Sequence, residues 1–187
     1  MVTALDPHTA LVIIDLQKGI TAYPTVNPMA NVLAQNAKLV AAFHKAGQPV
    51  VAVNVDPGKF KNPDARKDAP SHGRAELPAD FLDIVPEIGT LPTDIFVTKH
   101  SWGAFFETGL HEILQAKGVT GIVLSGVSTS IGVEGTARQA AELGYNITFA
   151  KDAMTDMVAS AQENSLNTIF PRIGQIDDTD AIIAKLS

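Results

Sequence analysis

Three polar features stand where apolar runs stop. Asp15 closes the run Ala10-Leu11-Val12-Ile13-Ile14, Lys99 closes Asp94-Ile95-Phe96-Val97-Thr98, and a turn from Gly126 to Gly132 follows Val119 to Ser125. A carboxyl group in apolar surroundings with a lysine beside it can work as a general acid or base, because burial raises its pKa while the cation opposes the rise. The turn opens a helix, whose first N–H groups lack internal partners and can serve as donors to a substrate. The plain structural alternative is a strand-end ion pair between Asp15 and Lys99.

Other residues near these three have chemistry to weigh. Ser130 is a potential nucleophile, but Ser128-Thr129-Ser130-Ile131-Gly132 lacks the first glycine of a nucleophile elbow, and the last histidine, His111, precedes it. An N-cap hydroxyl is the expected role for Ser130. Trp102, Phe105 and Phe106 follow Lys99 and can wall a pocket, although aromatics in such a place are more often plain core or an oligomer contact. Gln17 either orients Asp15 or bonds backbone, and Glu134 and Arg138, four apart on one helix, read as an intrahelical pair. His8, His44, His72, His100 and His111 show no ligand spacing and the chain has no cysteine, so no metal site, disulfide or thiol nucleophile is expected.

The elements that must position these groups alternate. Ala10 to Asp15 has the continuous apolar pattern of a buried parallel strand. Asn27-Pro28 opens a helix striped by Met29, Val32, Leu33, Leu39, Val40 and Phe43 and stopped by Gly47. Strands are expected at Val50 to Val55, Asp94 to Lys99, Val119 to Ser125, Tyr145 to Ala150 and Arg172 to Ile176. Helices are expected at Glu107 to Lys117, Ser130 to Leu143, Ser160 to Phe170 and Asp178 to Leu186. Between them, Asp56 to Pro78 is rich in Pro, Gly and charge, a pattern that suits a lid over an active site. Such alternation predicts βαβ units and a mostly parallel sheet covered on both faces with right-handed crossovers. Ligands bind such sheets beyond the carboxyl ends of the strands, where Asp15, Lys99 and the turn fall.

The 187 residues, 45% hydrophobic and 18% charged, suit one domain, 1–187, with a full core. A net charge of −6 without a Lys/Arg cluster argues against nucleic acid or an anionic membrane and favours a small-molecule partner. Met1 to Asp6 lacks a basic leader and Leu11 to Ile14 is too short to span a membrane, so the expected location is the cytoplasm. The apolar content is compatible with a homo-oligomer.

Ile13-Ile14-Asp15-Leu16-Gln17, Thr98-Lys99 with Ala104-Phe105-Phe106, Ser125-Gly126-Val127-Ser128-Thr129 running into Thr136-Ala137-Arg138, and Glu142-Leu143-Gly144-Tyr145 occur in an order that resembles the isochorismatase-like hydrolase superfamily. The resemblance implies a three-layer α/β/α fold, a six-stranded parallel sheet in the Rossmann-like order 3-2-1-4-5-6, and a cis peptide between Val127 and Ser128. It also implies catalytic roles for Asp15 and Lys99, with Gly132 where the cysteine branch carries its nucleophile. Glycine there, preceded by Ile131, is similar to the true isochorismatases, which cleave a vinyl ether without a covalent intermediate. Gln17, Trp102, Phe105, Ser128, Thr129, Ser130 and Ile131 are then the expected substrate contacts, and no cofactor is called for. The nicotinamidase-like Asp-x-His metal set has no counterpart in Asn54-Val55-Asp56-Pro57-Gly58. With that order, Lys99 lies two strands from Asp15, on the order of 10 Å away, and must reach inward with its long side chain. The implied function is hydrolysis of a small organic molecule, with a cysteine-free amidase or a silent ligand-binding member as alternatives.

Overall fold

The computed structural model describes residues 1–60, 68 and 76–186. Its centre is a six-stranded sheet, β1 (Thr9–Ile14), β2 (Val50–Val55), β3 (Ile95–Lys99), β4 (Gly121–Val127), β5 (Asn146–Thr155) and β6 (Gln175–Asp177). All five pairings are parallel and the spatial order is β3-β2-β1-β4-β5-β6. The helices are α1 (Lys18–Thr21), α2 (Met29–Lys45), α3 (Leu110–Ala116), α4 (Glu134–Glu142), α5 (Ala159–Asn164) and α6 (Thr179–Ile183).

Strand alternation divides the core in two. From β1, Ala10, Val12 and Ile14 pack with Leu110 and Leu114 of α3 and Ala137 and Ala140 of α4. Leu11 and Ile13 turn the other way, against Val32, Leu39, Val40 and Phe43 of α2 and Ile182 of α6. A central strand covered on both faces is expected to be apolar, which is why β1 reads as an unbroken run from Ala10 to Ile14 and is buried throughout, with the hydroxyl of Thr9 at its start donating to Asp6 O.

Several boundaries differ from the sequence expectation for local reasons. Pro28, not Asn27, is the residue before α2; Asn27 instead gives its side-chain amide to Met154 O at 3.0 Å and its backbone N–H to Thr155 Oγ1. Helix α3 begins three residues later than Glu107, because Glu107 and Gly109 both adopt positive φ, 55° and 74°, a conformation no helix contains. Strand β5 runs on to Thr155, past an irregularity where its register with β4 jumps from Leu124–Phe149 to Gly126–Met154. Ala153 O in that stretch is satisfied by Asn36, a buried amide of α2 that also receives the Ser125 hydroxyl at 2.6 Å. The last strand and helix are shorter and later than expected, at Gln175–Asp177 and Thr179–Ile183. Of the expected lid from Asp56 to Pro78, residues 61–67 and 69–75 lie outside the described residues.

Candidate active site

The chain leaves β1 at Asp15 with φ +54°, a left-handed turn that aspartate tolerates better than most residues. The Asp15 N–H still bonds Val53 O at 2.8 Å, so the residue stays fixed to the sheet edge as its side chain leaves the strand. Lys99 ends β3, two strands away, and its side chain spans β2: Nζ lies 2.8 Å from Asp15 Oδ2 and donates to Ser101 O at 3.2 Å. Both side chains are buried, with 8% of Asp15 and 2% of Lys99 exposed. Burial pushes the Asp15 carboxyl up to about 6 from the ordinary 3.8, against the downward pull of the Lys99 charge and hydrogen bond. Desolvation dominates, so this carboxyl exchanges its proton near neutrality.

The third side of the site is the turn after β4. The Val127–Ser128 peptide is cis. Thr129–Val133 then forms one wide helical turn, with Val133 N–H reaching back to Ser128 O, before α4 begins at Glu134. This turn brings Gly132 against Asp15. A Cβ on Gly132 would stand 3.2 Å from Asp15 Oδ2 and 2.9 Å from Ile14 Cγ2, so position 132 faces the carboxyl at a distance only glycine occupies without displacement.

The expected substrate contacts divide. Asp15 Oδ1 and Thr129 Oγ1 are buried and have no hydrogen-bond partner among the described residues. Ser128 is half-buried and Ile131 exposed at the turn, and Trp102 is 62% exposed beyond Lys99. Gln17 bonds backbone, the second of its two expected roles: its amide donates to Val55 O and Phe81 O and accepts from Val55 N–H, so it staples β2 to the segment before β3. Phe105 stacks on Tyr145 at 5.6 Å and packs against the core. Ser130 is not an N-cap. It sits inside the turn, where its N–H and hydroxyl both reach Asp156 Oδ2, at 2.7 and 2.8 Å. The Ser130 and Ile131 amides expected as substrate donors are therefore taken, the second by Ser128 O. Glu134 and Arg138 form the expected intrahelical pair at 2.8 Å.

Asp156 was not a candidate on sequence, although the signal was there. Ala153-Met154-Thr155-Asp156 repeats the pattern of Asp15, an apolar strand end closed by a carboxylate. It was hidden because β5 reads as ending at Ala150. Asp156 is 3% exposed, and its Oδ1 also accepts Val158 N–H, so it braces the first turn rather than activating Ser130.

Comparison with known proteins bears on the family and the fold. The model of the Isochorismatase domain matches residues 9–181. The uncharacterized isochorismatase family protein YwoC of Bacillus subtilis is 43% identical over 182 residues, covering 95% of this chain and 94% of its own. The solved structure of an isochorismatase family protein from Burkholderia thailandensis superposes with a TM-score of 0.92 at 37% identity, covering 100% of this chain and 99% of that one. The ureidoacrylate amidohydrolase RutB of Variovorax paradoxus is 26% identical over 199 residues, covering 91% of this chain and 79% of its own.

Proposed function

This chain belongs to the isochorismatase family, and from that premise we propose that it hydrolyses the vinyl ether of a small organic molecule with Asp15 as the acid and no covalent intermediate. One observation carries the reading: the position that faces the buried Asp15–Lys99 pair is a glycine, in a chain without cysteine. A thioester route is closed, since glycine has nothing to attack with. Ser130 is not assigned that role, because no histidine follows it in the chain and its partner Asp156 also holds the Ser130 and Val158 N–H groups.

What remains is acid chemistry. A carboxyl with its pKa near 6 holds a useful fraction of protonated form at neutral pH and is a strong enough acid to give the proton up. Asp15 delivers that proton to the terminal enol-ether carbon, which leaves an oxocarbenium ion. Water adds to the cationic carbon and returns a proton to Asp15, and the hemiketal then collapses: its ether C–O bond breaks, its hydroxyl proton passes to the departing alkoxide oxygen, and a ketone and an alcohol result. Lys99 holds the carboxyl in place and steadies the carboxylate formed when the proton leaves.

The test is pyruvate release from isochorismate by purified protein, with Asp15→Asn as the control for contaminating activity. Turnover that the variant loses by a hundredfold or more, roughly the worth of a general acid, is the expected result. Absence of pyruvate above the variant baseline overturns the vinyl-ether assignment. The likeness to RutB supports a second reading, a water-dependent amidase in which ionised Asp15 acts as base, and its sign is ammonia release from an amide panel.

A further inference from the structure

Helix α4 and the wide turn before it carry one face of small and polar residues, Gly132, Gly135, Thr136 and Gln139, and the segment that follows Lys99 is seated on it. Contact is at backbone level. A Cβ on Gly135 would meet Gly103 N at 3.3 Å and the Trp102 carbonyl carbon at 3.4 Å, and a Cβ on Gly103 would overlap the Gln139 amide. Two successive backbone amides of the segment end on this face: Ala104 N–H donates to Thr136 Oγ1 and Phe105 N–H to Gln139 Oε1, both at 3.0 Å.

Thr136 does more than receive an amide. Its hydroxyl donates to Gly132 O at 2.7 Å, so one fully buried oxygen joins the residue facing Asp15 to the segment carrying Lys99. From Ala104 the path back to the ammonium is short. Ser101 Oγ bonds Gly103 O at 3.0 Å, and Ser101 O accepts from Lys99 Nζ at 3.2 Å. The Lys99 ammonium therefore has two fixed points, Asp15 and a carbonyl whose place is set by the seat on α4.

We propose that Thr136 is a positioning residue: by bridging Gly132 O and Ala104 N–H, it holds the Lys99 ammonium against Asp15 and so keeps the acid of the active site in its working state. The inference rests on the reading of Asp15 and Lys99 as the working pair. Its geometry is independent of which substrate is turned over. A hydroxyl is required, since it must donate on one side and accept on the other. Serine meets that requirement, whereas valine, of the same shape, meets neither half of it.

The experiment follows the Asp15 carboxyl by carbon-detected NMR titration in the wild-type chain, Thr136→Val and Thr136→Ser, with thermal unfolding alongside. Among the described residues Lys99 is the charge that acts on Asp15, and it acts downward. Loosening it in Thr136→Val is expected to raise the Asp15 midpoint by about half a pH unit or more, while Thr136→Ser stays at the wild-type value. A Thr136→Val protein that melts earlier but titrates Asp15 unchanged overturns the proposal, leaving a structural hydroxyl. If Thr136→Val does not fold, Gln139→Met, which removes only the acceptor for Phe105 N–H, is read in the same way. Failure of both to fold also overturns it, because the seat then serves the fold and not the pair. None of these readouts needs a substrate, so a protein silent toward isochorismate still decides the question.

Discussion

The Asp15 carboxyl makes the protein's behaviour with pH legible at a single residue. Unfolded, it ionises near the ordinary 3.8; folded, it ionises near 6. Below 3.8 it is protonated in both states and contributes nothing to their difference. As pH rises from 3.8 to 6 the unfolded chain releases the proton first, so Asp15 progressively disfavours the fold, levelling above pH 6 at on the order of 3 kcal/mol. Urea titrations across this window are expected to show that loss. In Lys99→Met the carboxyl midpoint should move above the wild-type value, since both effects of Lys99 lower it. A midpoint that falls in that variant contradicts the assignment. The catalytic limb follows from the same proton: kcat/KM of an acid mechanism falls as pH rises through about 6, whereas a base mechanism rises. Gly132 makes the second residue-scale prediction. Adding a methyl there brings Cβ to 2.9 Å from Ile14 Cγ2, which branches at the backbone end of its side chain and has little freedom to retreat. Gly132→Ala should lose about 1–3 kcal/mol in urea unfolding, and Gly132→Cys should carry the same strain without becoming an efficient thiol hydrolase. Stability equal to wild type in Gly132→Ala contradicts the packing argument.

Among the elements, the turn between β4 and α4 is the least self-sufficient, because one wide helical turn leaves amides that its own carbonyls do not reach. Two braces compensate. Thr136 ties the turn to the segment after β3, and Asp156, at the end of β5, takes Ser130 N–H, the Ser130 hydroxyl and Val158 N–H. Removing Asp156 leaves two half-buried amides without their acceptor. Asp156→Ala is expected to lose about 1–3 kcal/mol, with hydrogen exchange at the Ser130 amide rising while amides of β1 keep their protection. Uniform acceleration across the sheet contradicts a local brace. The same element-level view explains Asn36, a polar side chain in the apolar stripe of α2. It bonds Val32 O, Ala153 O and the Ser125 hydroxyl, and so satisfies a carbonyl that the irregular stretch of β5 leaves off the ladder.

Over the whole molecule, a parallel sheet gathers at one edge groups that the sequence scatters from residue 15 to residue 156. Among the described residues no helix is long and apolar enough to cross a membrane, and the burial of β1 and β4 from end to end marks them as the interior strands between which that edge opens. The sequence by itself determined the fold class, because a strand buried on both faces is expected to be apolar and an amphipathic helix must repeat its stripe. Periodicity of this kind is local and survives in a single line of letters. It also marked Asp15 and Lys99, since polar residues that close apolar runs fall at the sheet's carboxyl edge whatever the pairing, whereas Gly132 stood out through the family resemblance. The family resemblance implied that Lys99 lies two strands from Asp15 and reaches inward; the tertiary structure added the contact itself, Nζ to Oδ2 at 2.8 Å, because strand order is a matter of long-range pairing. It alone gave Gln17 its backbone partners and Phe105 its stack on Tyr145, since a Gln amide bonds whichever backbone lies within reach and an aromatic ring packs wherever a neighbour offers a face. And it alone brought Thr136 and Asp156 to the turn they brace, through bonds to residues 32 and 26 positions away, a distance over which sequence spacing carries no geometric information.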